Sequence, residues 1–166
     1  GLWPTNIMSE RDWGYRAEPS PALNGRSLIL PMGKVVGGGS SINASAYSRG
    51  PKNDFNMWAE EAGDSAWNYE NVLKIYKRIE DWQGIPDDKR RGKGGRLWVE
   101  PAKNPNPIAP AMMYAAESVG IPAFEDQNGK MMEGDGGAAI ANLRIKNGRR
   151  QNIPSDYLYD VLAEPN

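Results

Sequence analysis

Gly37-Gly38-Gly39-Ser40-Ser41 lies between the apolar pairs Val35-Val36 and Ile42-Asn43. Side chains disappear where a backbone must approach something closely, and here they return at once on both sides. Consecutive N–H groups without a neighbouring Cβ can form a concavity that holds an anion, often a phosphate. Asn43 adds an amide that donates and accepts. The competing readings are a Gly/Ser linker for the glycines and a turn-capping amide for Asn43. β-Branched flanks and a lone Asn are unusual in linkers, which favours a ligand-cradling loop.

Other chemistry is bounded by what the chain lacks. It contains no Cys and no His. Disulfides, zinc–thiolate sites and cysteine nucleophiles are excluded, and so are the commonest general base and metal ligand. Lys34 and Lys52 could act as bases only if desolvated; structural or solvated roles suit them better. Asp126-Gln127-Asn128-Gly129-Lys130 and Glu133-Gly134-Asp135-Gly136-Gly137 place Asp and Asn beside Gly, as calcium loops do. Neither carries the full ligand ladder with its terminal Glu, so both read as turns. Twenty basic against 21 acidic residues give no support for a nucleic-acid partner. No apolar run reaches bilayer length, so no membrane partner is expected.

The elements that must position the glycine loop are short. The 166 residues suffice for one ordinary domain, yet only 39 % are hydrophobic, and 19 Gly and 13 Pro make up nearly one residue in five. The mean hydropathy is −0.67. Such a composition predicts many loops and a core shared with other sequence. Residues 1–32 read as irregular, with Ser27-Leu28-Ile29-Leu30 as a strand-like run. A helix is predicted over Asp54–Ala62, with Phe55, Trp58, Ala59 and Ala62 on one face, Asp54 as N-cap and Gly63 as stop. A second runs from Asn68 to Ile79, with Asn68 as N-cap and Tyr69, Val72, Leu73, Tyr76 and Ile79 as its core stripe. Residues 84–96 read as a solvated polar loop, in which two Asp offset Lys89-Arg90-Arg91. Leu97-Trp98-Val99 is a strand ending at Pro101. Ile108–Val119 is a helix closed by Gly120. Ala139–Ile145 is a strand, and Asn147-Gly148 signals a hairpin.

The segment Gly33-Lys34-Val35-Val36-Gly37-Gly38-Gly39-Ser40-Ser41-Ile42-Asn43, with Tyr47 and Gly50 beyond it, resembles the first signature of the glucose–methanol–choline oxidoreductases, an FAD-dependent family. Trp13-Gly14-Tyr15-Arg16-Ala17-Glu18-Pro19 and Asn24-Gly25-Arg26 resemble the family's approach to its flavin loop. Ser48-Arg49-Gly50, Asp54-Phe55, Trp58 and Trp67-Asn68-Tyr69 resemble its following helices, and Asn147-Gly148-Arg149-Arg150 with Tyr157-Leu158 echoes a later segment.

The resemblance implies an α/β fold, α+β overall: a Rossmann-like FAD-binding domain beside an α+β substrate domain, with this chain as an internal part. It assigns residues 1–82 to the first domain and 83–166 to the second. It implies that Val35, Gly37, Gly38, Gly39, Ser40, Asn43, Ala44, Ser45 and Ala46 contact FAD. Some members attach the flavin through a His one residue before the Asn; Ile42 stands there, so non-covalent FAD is expected. The family's Gly-x-Gly-x-x-Gly turn and its catalytic His are not in this sequence, so the chain alone is expected to be inactive. Its partners would be the remaining segments of the same enzyme and an alcohol, whose CH–OH group is oxidised by hydride transfer to flavin. Two alternatives stand beside this: a flavin-containing hydroxynitrile lyase on the same scaffold, and a non-catalytic Gly/Pro-rich interaction module.

Overall fold

Prolines and left-handed turns set the path of the first forty-five residues. A computed structural model describes residues 2–162 and 164–165. The chain divides into two compact units, Gly1–Ser45 with Arg150–Asn166, and Ala46–Arg149.

In the first unit, 3-10 turns at Trp3–Asn6 and Pro21–Leu23 each start with a proline, whose fixed φ suits a first helical position. Tyr15–Arg16 (β1) pairs antiparallel with Ile29–Leu30 (β2). The strand expected over 27–30 is thus two residues long. A single helical turn, Gly39–Ile42 (α1), follows. The unit is completed by a π-type turn at Pro154–Leu158 and a 3-10 turn at Tyr159–Val161. Buried Asp12 organises the approach to α1. Its carboxylate accepts the N–H groups of Met8 (2.8 Å), Met32 (2.9 Å) and Gly14 (3.1 Å). These backbone donors hold its pKa below the ordinary carboxylate range.

The second unit begins with Ala46–Tyr47 (β3) and Lys52–Ala62 (α2). α2 starts two residues before the predicted Asp54. Pro51 takes the N-cap place without a side-chain bond, and Asp54 lies in the first turn, where its charge suits the positive helix end. Asn68 caps Tyr69–Ile79 (α3) as expected, its side-chain oxygen accepting the Asn71 N–H at 2.9 Å. Phe55, Tyr69 and Leu73 form the apolar core, with Val72 and Tyr76 packed against it.

Glu80–Trp82 (β4) and Leu97–Pro101 (β5) pair in parallel. The helix Ile108–Ser118 (α4) holds Pro110 in its first turn. Asn142–Leu143 (β6) pairs antiparallel with β5 and β3, giving the order β3-β6-β5-β4. The strand predicted over Ala139–Ile145 is therefore interrupted. Only β6 and Ile145–Lys146 (β7) are extended pairs, because Arg144 turns its side chain into the interior. β7 pairs with Arg149–Arg150 (β8) through Asn147 (φ +50°) and Gly148 (φ +74°), the predicted hairpin. The boundary at 82/83 read from the sequence falls inside this unit, within the β4–β5 pair.

The polar stretch 84–96 is not a solvated loop. Arg91 and Gly92 are buried. Glu80, fully buried, holds Arg49 at 2.6 Å and the Arg91 Nε at 3.1 Å, and accepts the Gly92 N–H at 3.1 Å. The Arg91 guanidinium also lies 3.7 Å from the centre of the Trp82 ring. Burial lowers its pKa, with Glu80 and then Asp126 pulling the other way. A Cβ at Gly92 would collide with the Lys77 carbonyl, which explains a glycine there. Asn128 is buried too: its Nδ2 donates to Asn142 (2.7 Å) and to the Tyr47 carbonyl (2.9 Å), and its Oδ1 accepts the Arg49 N–H (2.6 Å).

Candidate functional site

The glycine loop is a closed clasp built from both chain segments of the first unit. Gly33 bridges to Asp12, and the Gly38 carbonyl packs where a Gly33 Cβ would stand. Lys34 donates its N–H to Arg11 at 2.8 Å and sets its ammonium 5.0 Å from the Trp13 ring centre. Gly37 (φ +90°) and Gly38 (φ +52°) then reverse the chain. A Cβ on Gly37 would lie 2.6 Å from Pro154 Cδ. Ser40 Oγ donates to the Gly37 carbonyl (2.6 Å) and Ser41 Oγ to that of Val36 (2.8 Å). From the later segment, Asn152 Nδ2 donates to Ser41 Oγ (3.0 Å) and the Ile153 N–H to Ser40 Oγ (3.2 Å).

These bonds change what the loop can offer. The N–H groups of Gly38, Ser40, Ser41 and Asn43 donate to the carbonyls of Val35, Gly37, Gly38 and Gly39. They do not form the open row of donors that an anion concavity needs. What the loop presents instead is bare backbone. A Cβ at Gly38 or Gly39 would meet nothing within 4 Å. Gly38 is explained by its positive φ. Gly39 is not: its φ is not positive, no neighbour crowds it, and a glycine in a helix costs about 1 kcal/mol against alanine. Nothing within the chain calls for its missing side chain, whereas a flat ligand lying on α1 would.

Asn43 is exposed, and its Oδ1 accepts from the Ser45 N–H (2.9 Å) and from Arg150 Nη1 (2.7 Å). Its Nδ2 has no hydrogen-bond partner among the described residues, leaving two donors for a ligand. Both earlier readings of this amide therefore describe part of it: the oxygen caps and the nitrogen is available. Ala44 and Ala46 are exposed, Ser45 is buried at φ +60°, and Val35 is exposed. Ala46 lies in the second unit. The residues sequence reasoning missed are Asp12, Arg150, Asn152 and Pro154. Only the Asn147-Gly148 hairpin signalled a returning segment, and nothing in the sequence paired it with α1. Burial lowers the Arg150 pKa, but a guanidinium remains charged.

The other candidates take structural parts. Lys52 lies 3.8 Å from Glu70 and 5.8 Å from the Tyr69 ring centre, on the surface. Asp126 binds the N–H of Asn128, and Lys130–Glu133 forms a 3-10 turn. Among the described residues no group of three or more His, Cys, Asp or Glu could hold a metal ion, and no helix is long and apolar enough to cross a membrane.

Residues 14–166 match the family model described as GMC oxidoreductase. The oxygen-dependent choline dehydrogenase of Rhizobium meliloti (strain 1021) is 42 % identical over 164 residues, covering 99 % of this chain and 29 % of that protein. Pyridoxine 4-oxidase from Mesorbium loti, a solved structure, superposes with a TM-score of 0.89 at 30 % identity, over 98 % of this chain and 31 % of that one. An FAD-dependent oxidoreductase from Chaetomium thermophilum superposes with a TM-score of 0.78 at 25 % identity, over 95 % of this chain and 30 % of that one. The chain thus spans less than a third of the length of the relatives it matches.

Proposed function

The chain belongs to the GMC oxidoreductase family, and from that premise we propose that it is the flavin-loop section of an enzyme that oxidises the CH–OH group of an alcohol. FAD is the cofactor that membership implies, and when bound it supplies the hydride acceptor. The observation that carries the reading is Gly39, whose bare face has no use within the chain. Gly37 shapes the turn under Pro154, and Gly38 and Gly39 give the ring or its chain a flat support. Asn43 directs its free amide N–H groups at the cofactor's polar edge, its orientation fixed by Arg150. Ser40 acts through its backbone, since its hydroxyl already donates to Gly37. Val35, Ala44, Ser45 and Ala46 line the approach with small or apolar surface. Attachment is non-covalent, because Ile42 offers no nucleophile.

Residues 1–82 are assigned to the FAD-binding domain and 83–166 to the substrate domain of the whole enzyme. The general base belongs to sequence outside this chain, which has no His. The names of the relatives, choline dehydrogenase and pyridoxine 4-oxidase, support a CH–OH donor.

The test is the absorption spectrum of the full-length enzyme. Flavin bands that bleach anaerobically with alcohols are expected, and free FAD on denaturation. Gly39→Val should fold, having no neighbour to strike, but bind FAD at least about tenfold more weakly. A colourless enzyme, or full flavin in the Gly39→Val variant, would sink the reading. Flavin that stays with denatured polypeptide would overturn non-covalent attachment.

A further inference from the structure

Away from the glycine loop, Trp58, Glu61, Ala62 and Trp67 line an open pocket of about 450 Å³. Trp58 and Glu61 stand one turn apart on α2. Gly63, at φ +63°, ends the helix and turns the chain so that Trp67 returns beside Trp58. The two indoles meet nearly at right angles, 78°, with ring centres 6.3 Å apart. They form two walls of a corner. The corner is preorganised: Trp58 packs edge-on against the core residue Phe55 at 5.4 Å, and Asp64 Oδ1 accepts the Ala66 N–H at 2.8 Å. Asn71 Nδ2 ties the Ser65 carbonyl at 2.9 Å.

Two features of this corner have no structural use in the unit. Both indoles are about half exposed, 46 % and 51 %, although large aromatic faces gain most from burial. Glu60 and Glu61 occupy the last turn of α2, where the helix end is already negative, and no basic residue accompanies them there. Neither carboxylate has an ion-pair partner among the described residues. Two perpendicular π-faces with an unpaired carboxylate attract one class of ligand, a cation with a greasy shell. A quaternary ammonium has its charge spread over methyl groups, so it loses little hydration on entering and gains from both rings.

We propose that the Trp58–Glu61–Trp67 corner binds a methylated ammonium group. The proposal is independent of the flavin reading. The group could belong to a small free cation or to a trimethylated lysine on another protein, and the test separates these.

The full-length enzyme is labelled with 5-fluorotryptophan, and the fluorine resonances of Trp58 and Trp67 are assigned by substitution. Tetramethylammonium chloride should shift both signals saturably, whereas sodium chloride at the same ionic strength and the neutral isostere neopentane-diol should not. Glu61→Gln should weaken binding about fivefold and Trp67→Leu about tenfold or more, both with flavin content unchanged. A trimethyl-lysine peptide binding more tightly than the free cation identifies a protein partner; equal affinity identifies a small cation. No shift, a shift shared with the neutral isostere, or affinity unaltered by Glu61→Gln would overturn the proposal. The first of these would mean that another segment of the enzyme covers the corner.

Discussion

The two units are held together by different forces. In Ala46–Arg149, aromatic and aliphatic side chains pack into a core, and a buried carboxylate gathers two arginines. In the unit that carries the glycine loop, Ile42 is the only large apolar side chain buried among the described residues. Trp13, Tyr15, Leu28, Ile29, Leu30, Met32, Val35 and Val36 are exposed there. Its shape comes from hydrogen bonds to backbone: Asp12 to three N–H groups, Ser40 and Ser41 to the carbonyls behind them, Arg150 to Asn43. One unit is a scaffold, and the other is a template whose apolar faces await further chain or a ligand. Hydrogen bonds fix geometry but contribute only about 1 kcal/mol each, so a surface made this way is well shaped and weakly self-supporting.

The largest effect that would sharpen this contrast lies in the scaffold. Glu80→Ala leaves the Arg49 and Arg91 guanidiniums buried without their counter-charge, and should cost about 3–5 kcal/mol in denaturant unfolding of the full-length enzyme. A loss below 1 kcal/mol would mean that packing alone holds this unit, and the distinction would fail. In the template, Gly37→Ala forces a Cβ against Pro154 at φ +90°; about 1–3 kcal/mol is expected. The flavin should be lost with it, at temperatures where circular dichroism still reports an intact scaffold. Simultaneous loss of both signals would break the comparison.

The smallest effect is a pH dependence. Asp12 has a folded pKa held below its unfolded value by backbone N–H donors. Its contribution is therefore complete above the unfolded value of about 3.9 and disappears as pH falls through the lower folded value. Flavin release from the wild type should steepen in that acid window. Asp12→Asn should release flavin more readily at neutral pH and lack that steepening. An identical acid profile in the variant would remove Asp12 from the account.

What could be read from the sequence was local. The Asn68 cap, the Leu97–Val99 strand, the helix from Ile108 and the Asn147-Gly148 hairpin are each specified by a few neighbouring residues, and they form as read. The glycine loop was recognisable for the same reason. Arg91 was not: a basic residue among Asp, Lys and Gly reads as solvated, and only β4, forty residues from Arg49's own element, supplies the carboxylate that buries it. Likewise Asn43 could be seen as an amide with a purpose. That Arg150 would hold its oxygen and leave its nitrogen free depends on a contact across 107 residues. Asp54 was displaced from its cap because Pro51, fixed at a suitable φ, lets the helix begin earlier.

The clasp around α1 also has a timetable. Ile153 follows Ser40 by 113 residues, and a ribosome adding about 5–20 residues per second needs roughly 6–23 s to make that stretch. The whole of Ala46–Arg149 is synthesised in between. The nascent glycine loop therefore stays unlatched while its neighbour acquires a core, and it can lock only when Asn152, Ile153 and Pro154 leave the exit tunnel. Any cofactor that needs the latched loop must be loaded late in translation or afterwards.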